Sequence, residues 1–166
     1  MKALLAPALL GAALLAATPL AAQDTAREQA DVIAAAEAFF TALASPDKTA
    51  LAATMDPAGM IYIHDRMDPA APEVIVVPVA KHLENWLKSP PGLWEGMVYS
   101  TVLVDGDMAQ VWGPYRFMAN GKTTHCGIDS LSLVKREGVW KVANTSFTME
   151  PASECERLGA PEAPAQ

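Results

Sequence analysis

The chain has 166 residues, is 51% hydrophobic and 19% charged, and carries a formal net charge of −7 with two cysteines. That content supports one packed domain with appendages and excludes a disordered chain. An acidic balance with 12 Lys and Arg lacks the electrostatic footprint of a nucleic-acid binder. Two cysteines make neither a disulfide-rich scaffold nor a four-thiolate zinc site.

Met1 and Lys2 precede an uncharged Ala/Leu stretch from Ala3 to Ala17, followed by the breaker and small residues Thr18-Pro19-Leu20-Ala21-Ala22. This is the anatomy of a secretory signal peptide. Its apolar core is shorter than the ~20 residues a bilayer-spanning helix needs. The expectation is cleavage after Ala22, a periplasmic or secreted protein, and no stable membrane anchor after cleavage; an uncleaved anchor is the competing reading. Residues 1–22 are then the leader, 23–150 the folded domain and 151–166 an irregular tail.

Thr25 to Glu28 reads as a capping box. Ile33, Ala36, Phe40 and Leu43 continue as one apolar helical stripe. Ser45-Pro46-Asp47 stops that helix and can open a short second one, with Ser45 as N-cap and Pro46 at the first position. Asp56 to Gly59 is a turn. Met60 to Asp65 reads as a strand, Arg66 to Pro72 as a Pro-rich loop and Val74 to Val77 as a short β-branched run. Pro78 opens a helix through Lys88 that carries Leu83, Trp86 and Leu87 inward. Four β-rich runs follow, at 94–104, 107–119, 122–136 and 139–148, punctuated by Asp105-Gly106, Asn120-Gly121 and Glu137-Gly138. These are hairpin turns, so the second half is an antiparallel meander of four strands.

The order helix, short helix, strand, third helix, meander resembles the nuclear transport factor 2-like superfamily, which includes scytalone dehydratase, ketosteroid isomerase and polyketide-cyclase-like proteins. The segments Trp112-Gly-Pro-Tyr115-Arg-Phe117, Asn120-Gly121-Lys122, His125-Cys126-Gly127-Ile128-Asp129 and Trp140-Lys141-Val142 look like bacterial members of unknown role. The resemblance covers roughly Gln29 to Thr148. It implies an α+β fold: a curved antiparallel sheet, the four-strand meander plus short N-terminal strands, wrapped around three helices from the N-terminal half. Its shape would be a cone with a pocket. It does not imply a reaction, because this superfold hosts enzymes, binders and assembly modules.

Two-residue turns fix the hairpin register. They place Arg116 opposite His125, Trp112 opposite Asp129, Tyr99 opposite Trp112 and Leu131 opposite Asn144, and opposite residues share a face. The expected interior face therefore carries Tyr99, Gln110, Trp112, Arg116, His125, Asp129 and Asn144 among Leu, Met and Val residues. Tyr115, Phe117 and Cys126 fall on the other face. A bulge at Gly113-Pro114 or Gly127 would flip part of this register.

Asp129 is the first catalytic candidate: a desolvated carboxylate tends upward in pKa, as a general base needs, and the resemblance permits that role. The competing reading is a structural Asp held by the Trp112 indole, Ser146 or backbone. His125 is the second candidate, kept neutral by Arg116, against a plain rim histidine. Four residues apart on one strand, the two lie about 13 Å apart and are not a dyad. Arg116 suits an anionic ligand or a local ion pair. Trp86, Tyr99, Gln110, Trp112, Arg116 and Asn144 are the expected ligand-binding set, with Tyr115 a further aromatic. His64 and Asp65 fall near the pocket mouth as surface or loop residues, and His82 is expected to be exposed. No metal-ligand spacing, phosphate loop or nucleophile elbow occurs, so neither a metal nor a cofactor is expected. Export favours a Cys126–Cys155 bridge over free thiols.

Three functions compete. The first is a small-molecule-binding domain for an apolar or mixed-polarity ligand, with homodimerisation open. The second is a cofactor-independent lyase or isomerase using Asp129 or His125 as general base. The third is a protein-interaction module docking through its sheet.

Overall fold

The computed structural model describes residues 20–164, with side chains from Asp24 onward. The proposed leader lies outside the described residues except for positions 20–22, which open the first helix. That helix, α1 (Leu20–Ala44), starts ahead of the Thr25 capping box, so Thr25 lies inside it. Its apolar stripe, Val32, Ala36, Phe39, Phe40 and Leu43, is buried against the sheet. The Gln29 side chain donates to the Val102 carbonyl at 2.8 Å. Ser45 ends the helix by donating its N–H back to Ala42 O at 3.2 Å, and Pro46 offers no N–H to continue it. The Ser45 hydroxyl accepts from Asp47 N–H, and the Asp47 carboxylate accepts from Thr49 N–H and hydroxyl. These local bonds hold residues 45–49 in turns, so the second helix is not opened by Pro46. It is one 3-10 turn at Ala50–Ala53.

Strand β1 (Met60–Asp65) pairs antiparallel with β2 (Glu73–Pro78), and α2 (Val79–Trp86) follows. Trp86 is buried, whereas Leu87 lies just past the helix end and is 56% exposed rather than inward. The run expected at 94–104 is two strands, β3 (Leu93–Met97) and β4 (Thr101–Asp105), broken at Val98–Ser100 and both paired to β5 (Met108–Ala119). The break coincides with Gly113, where a side chain would collide with the Val98 carbonyl oxygen. Strands β6 (Lys122–Arg136) and β7 (Val139–Pro151) complete the sheet. Its order is β2-β1-β7-β6-β5-β3, with β4 also on β5. The protein is α+β with a curved, unclosed seven-stranded sheet. The sheet is not wholly antiparallel, because β1 runs parallel to β7. The tail is not wholly irregular: a 3-10 turn at Ala152–Glu154 and α3 (Cys155–Leu158) follow β7. A Cys126–Cys155 disulfide, Cα atoms 5.5 Å apart, fastens α3 to β6. No described helix is long and apolar enough to cross a membrane.

Two extra residues decide which side chains meet. Beyond the Asn120-Gly121 turn, Ala119 pairs with Lys122 and Met118 with Thr123, but Phe117 pairs with His125. Thr124 is the bulged residue. Every β5 position beyond it therefore changes partner: Arg116 faces Cys126, Trp112 faces Ser130 and Gly113 faces Asp129. Near the other end of β6, Leu133 pairs with Val142 but Ser132 with Asn144, which leaves Ala143 unpaired. There the segment before β1 has taken over the edge: Asp56 N–H donates to Val142 O and Val142 N–H to Thr54 O. The β4–β5 turn also differs. Asp105 pairs with Met108, so Gly106-Asp107 is the loop, with positive φ at its first central residue as a II′ turn requires.

Candidate functional site

Between α1, α2 and the inner sheet face lies a cavity of about 180 Å³. From the helices it is lined by Phe39, Leu43, His82 and Trp86, and from the strands by Glu95, Tyr115, Phe117, His125, Asp129 and Phe147, among others. Odd-numbered β5 residues face it because of the Thr124 bulge. Leu93, Glu95 and Met97 alternate inward on β3, with Leu93 and Met97 buried. A wider groove of about 630 Å³ runs past Glu37, Phe40, Trp94 and Tyr99. Glu95 lines both spaces.

The polar chemistry of the cavity is two carboxyls among aromatic rings. Asp129 is 3% exposed, and its Oδ1 has no hydrogen-bond partner among the described residues. Burial pushes its carboxyl up to about 7, against the pull of the Ser130 N–H. Glu95 is raised well above the ordinary range by burial and then by the Asp129 charge. The native state therefore favours a protonated or half-protonated pair near neutrality. The Trp86 indole N–H is likewise buried and unpartnered. Tyr115 donates its hydroxyl to Thr148 O at 2.8 Å, and burial followed by the Glu95, Asp129 and Glu150 charges raises it far beyond physiological titration.

His125 stacks on Phe117, centroids 5.0 Å apart, and meets Tyr115 edge-on. Its Nδ1 lies 2.9 Å from the Thr124 hydroxyl. Burial lowers its pKa to about 4, with Asp65 pulling the other way, so the neutral ring follows from desolvation and not from Arg116. His82 is not an exposed helix residue: it lines the cavity, 5.5 Å from the Trp86 ring, and burial lowers it too. Among the described residues no cluster of three or more His, Cys, Asp or Glu could hold a metal ion.

Of the residues expected to meet, Asp129, His125 and Trp86 line the cavity together. Gln110, Trp112, Arg116 and Asn144 do not. Trp112 is 49% exposed on the outer face, where Gln110 bonds Ser130 and Ser132. Arg116 donates to the Pro161 carbonyl at 2.6 Å and to Thr123, holding the tail instead of an anion. Asn144 accepts from Met60 N–H. Tyr99 lines the groove, not the cavity, and burial and then Glu37 push it up to about 12. His64 points outward, its Nε2 3.2 Å from the Ser146 hydroxyl, and Asp65 caps Met67 N–H. Sequence reasoning missed Glu95, Phe117 and Phe147, and it named Tyr115 as an aromatic of the pocket while its register set that ring on the other face. Glu95 had a signal, as the one charge alternating with Leu93 and Met97.

Solved structures share this overall fold. A Shewanella baltica NTF2-like protein of unknown function matches with TM-score 0.56 at 14% identity, over 76% of this chain and 97% of that one. The chain has the nuclear transport factor 2-like fold. A Nostoc punctiforme protein of unknown function described as cystatin-like matches with TM-score 0.59 at 12% identity, over 77% of this chain and 95% of that one. A putative calcium/calmodulin-dependent protein kinase II association domain from Xanthomonas campestris matches with TM-score 0.53 at 25% identity, over 85% and 94%. No protein-family model and no curated protein matches the chain. Likeness at this identity carries the fold of nuclear transport factor 2-like proteins and no activity.

Proposed function

We propose that the protein is a binding domain for a small molecule with a compact apolar body and one polar group. The observation that carries this is the cavity beside the unpartnered Asp129 Oδ1. Buried polar atoms left unpaired cost free energy that a ligand can recover. A volume of about 180 Å³ suits a single ring, since apolar cavities of about 150 Å³ take up benzene. Titration with benzyl alcohol, followed by amide NMR, should move resonances around Trp86, Tyr115 and Asp129. An Ile63→Phe substitution, which fills the cavity from β1, should abolish the shifts. Shifts that survive it, or that spread over the outer face, overturn the reading.

A second reading, proton abstraction, is favoured by one observation. Asp129 lies buried in the cavity wall, and that burial pushes its carboxyl up to about 7, where a general base is most effective. His125, at about 4, is the weaker base. The C–H bond next to a carbonyl would break, its proton passing to Asp129 Oδ1 and its electron pair to the carbonyl oxygen. Cyclopentanone in D₂O is the probe: protein-catalysed deuterium uptake, lost in Asp129→Asn, supports the reading, and equal uptake in both proteins removes it.

Two further proposals concern context. Export is supported by the leader's composition and by the disulfide, a bond that persists in oxidising compartments; an N-terminus at Gln23 in protein from the cell envelope is the test. Homodimerisation, or docking of another protein, is supported by the exposed Tyr62, Val74, Val76, Leu103, Met108 and Trp112 of the outer sheet face. A lower sedimentation mass in Trp112→Lys checks the dimer.

A further inference from the structure

We infer that the cavity selects a small organic cation, an ammonium group on a compact apolar body, seated against Asp129 and Glu95. This rests on the binding reading above and names the ligand class. The wall combines two carboxyls, Glu95 and Asp129, with the rings of Phe39, Trp86, Tyr115, Phe117 and Phe147. Electron-rich ring faces attract an ammonium, most strongly when it is desolvated. Among the described residues no Lys or Arg lines the cavity or the groove that meets it at Glu95. An anionic ligand would find no counter-charge in that wall.

The surroundings have the same polarity. Glu37 lies in the groove and Asp65 acts on His125. His82 and His125 are kept neutral by burial and do not repel a cation. Lys48, which is not a lining residue, brings its ammonium to 5.4 Å from the Trp86 ring centre; this one positive charge stands against the two carboxyls of the wall. The chain's charge of −7 steers cations toward it. Asp129 Oδ1, buried and unpartnered, is the acceptor for an N⁺–H. A cation arriving there draws the carboxyl pair into its ionised form, so binding near neutral pH should release protons.

The test is calorimetric titration of the full chain at pH 7.5 with benzylamine and with benzyl alcohol, which share a ring and differ in charge. Benzylamine is expected to bind at least about tenfold more tightly, with a heat that changes with the buffer's ionisation enthalpy. Asp129→Asn and Glu95→Gln should each remove the preference, so that benzylamine binds no more tightly than benzyl alcohol; two variants guard against one that fails to fold. Equal or tighter binding of benzyl alcohol overturns the cation assignment while leaving the binding reading intact. A preference that persists in both variants overturns it too. Failure of both compounds to bind overturns this inference and the binding reading together.

Discussion

Asp129→Asn is the sharpest probe of the buried carboxyl pair, because it leaves shape unchanged and removes one charge. In the native state the Asp129 carboxyl ionises near 7, against 3.8 for an ordinary one. The sign follows from proton occupancy. Between those values the native state holds a proton that the unfolded chain has released, so stability falls as pH rises through this window. Above it the native state carries a cost of about 4 kcal/mol relative to acid, at 1.36 kcal/mol per pKa unit. Asn carries no such cost and also relieves Glu95 of the Asp129 charge. The variant should match the parent near pH 4 and exceed it by up to about 4 kcal/mol at pH 8, a large fraction of a typical domain's stability. Urea unfolding midpoints at pH 4, 6 and 8, with equal slopes, measure this. Parallel pH profiles for the two proteins would refute the claim that Asp129 is buried and charge-averse.

Three further outcomes are expected. Reducing the Cys126–Cys155 bond, which spans 29 residues of sequence, should cost about 3–4 kcal/mol in the chain-entropy model, read from thermal melts with and without reductant. Tyr115→Phe deletes the hydroxyl that donates to Thr148 O and should destabilise by about 0.5–1.5 kcal/mol in denaturant titrations; no change would mean that water replaces the bond. Gly113→Ala would press a methyl into the Val98 carbonyl, at a cost of about 1–3 kcal/mol, whereas Gly106→Ala meets no neighbour and should be limited to the strain of its positive φ.

The strands were legible because their punctuation is chemical. Asn120-Gly121 and Glu137-Gly138 both adopt positive φ, and the two turns close between the pairs Ala119/Lys122 and Arg136/Val139 as two-residue loops should. Asp129 and His125 could be placed inward from β6 alone, where Leu131 and Leu133 set the alternation. The other half of the cavity was not legible, because bulges have no letter code. Thr124 and Ala143 are ordinary strand residues, and only tertiary geometry makes them supernumerary. Leu133–Val142 keeps the register read from the turn, and Ser132–Asn144 does not. The approach of residues 54–59 that accompanies this shift involves contacts more than 80 positions apart in sequence. Glu95 was overlooked for a different reason: a lone carboxylate in a strand reads as surface until its neighbours two positions away are seen to be buried.

The Thr124 bulge makes the cavity's lining a question of chain length. Any residue that tolerates an exposed strand position can stand at 124 without moving Tyr115 or Phe117. Without that position the turn would again set Arg116 opposite His125 and Trp112 opposite Asp129, a register at odds with the burial of Val111 and Tyr115. The supernumerary residue thus decides which β5 side chains reach the cavity while adding none of its own to the wall.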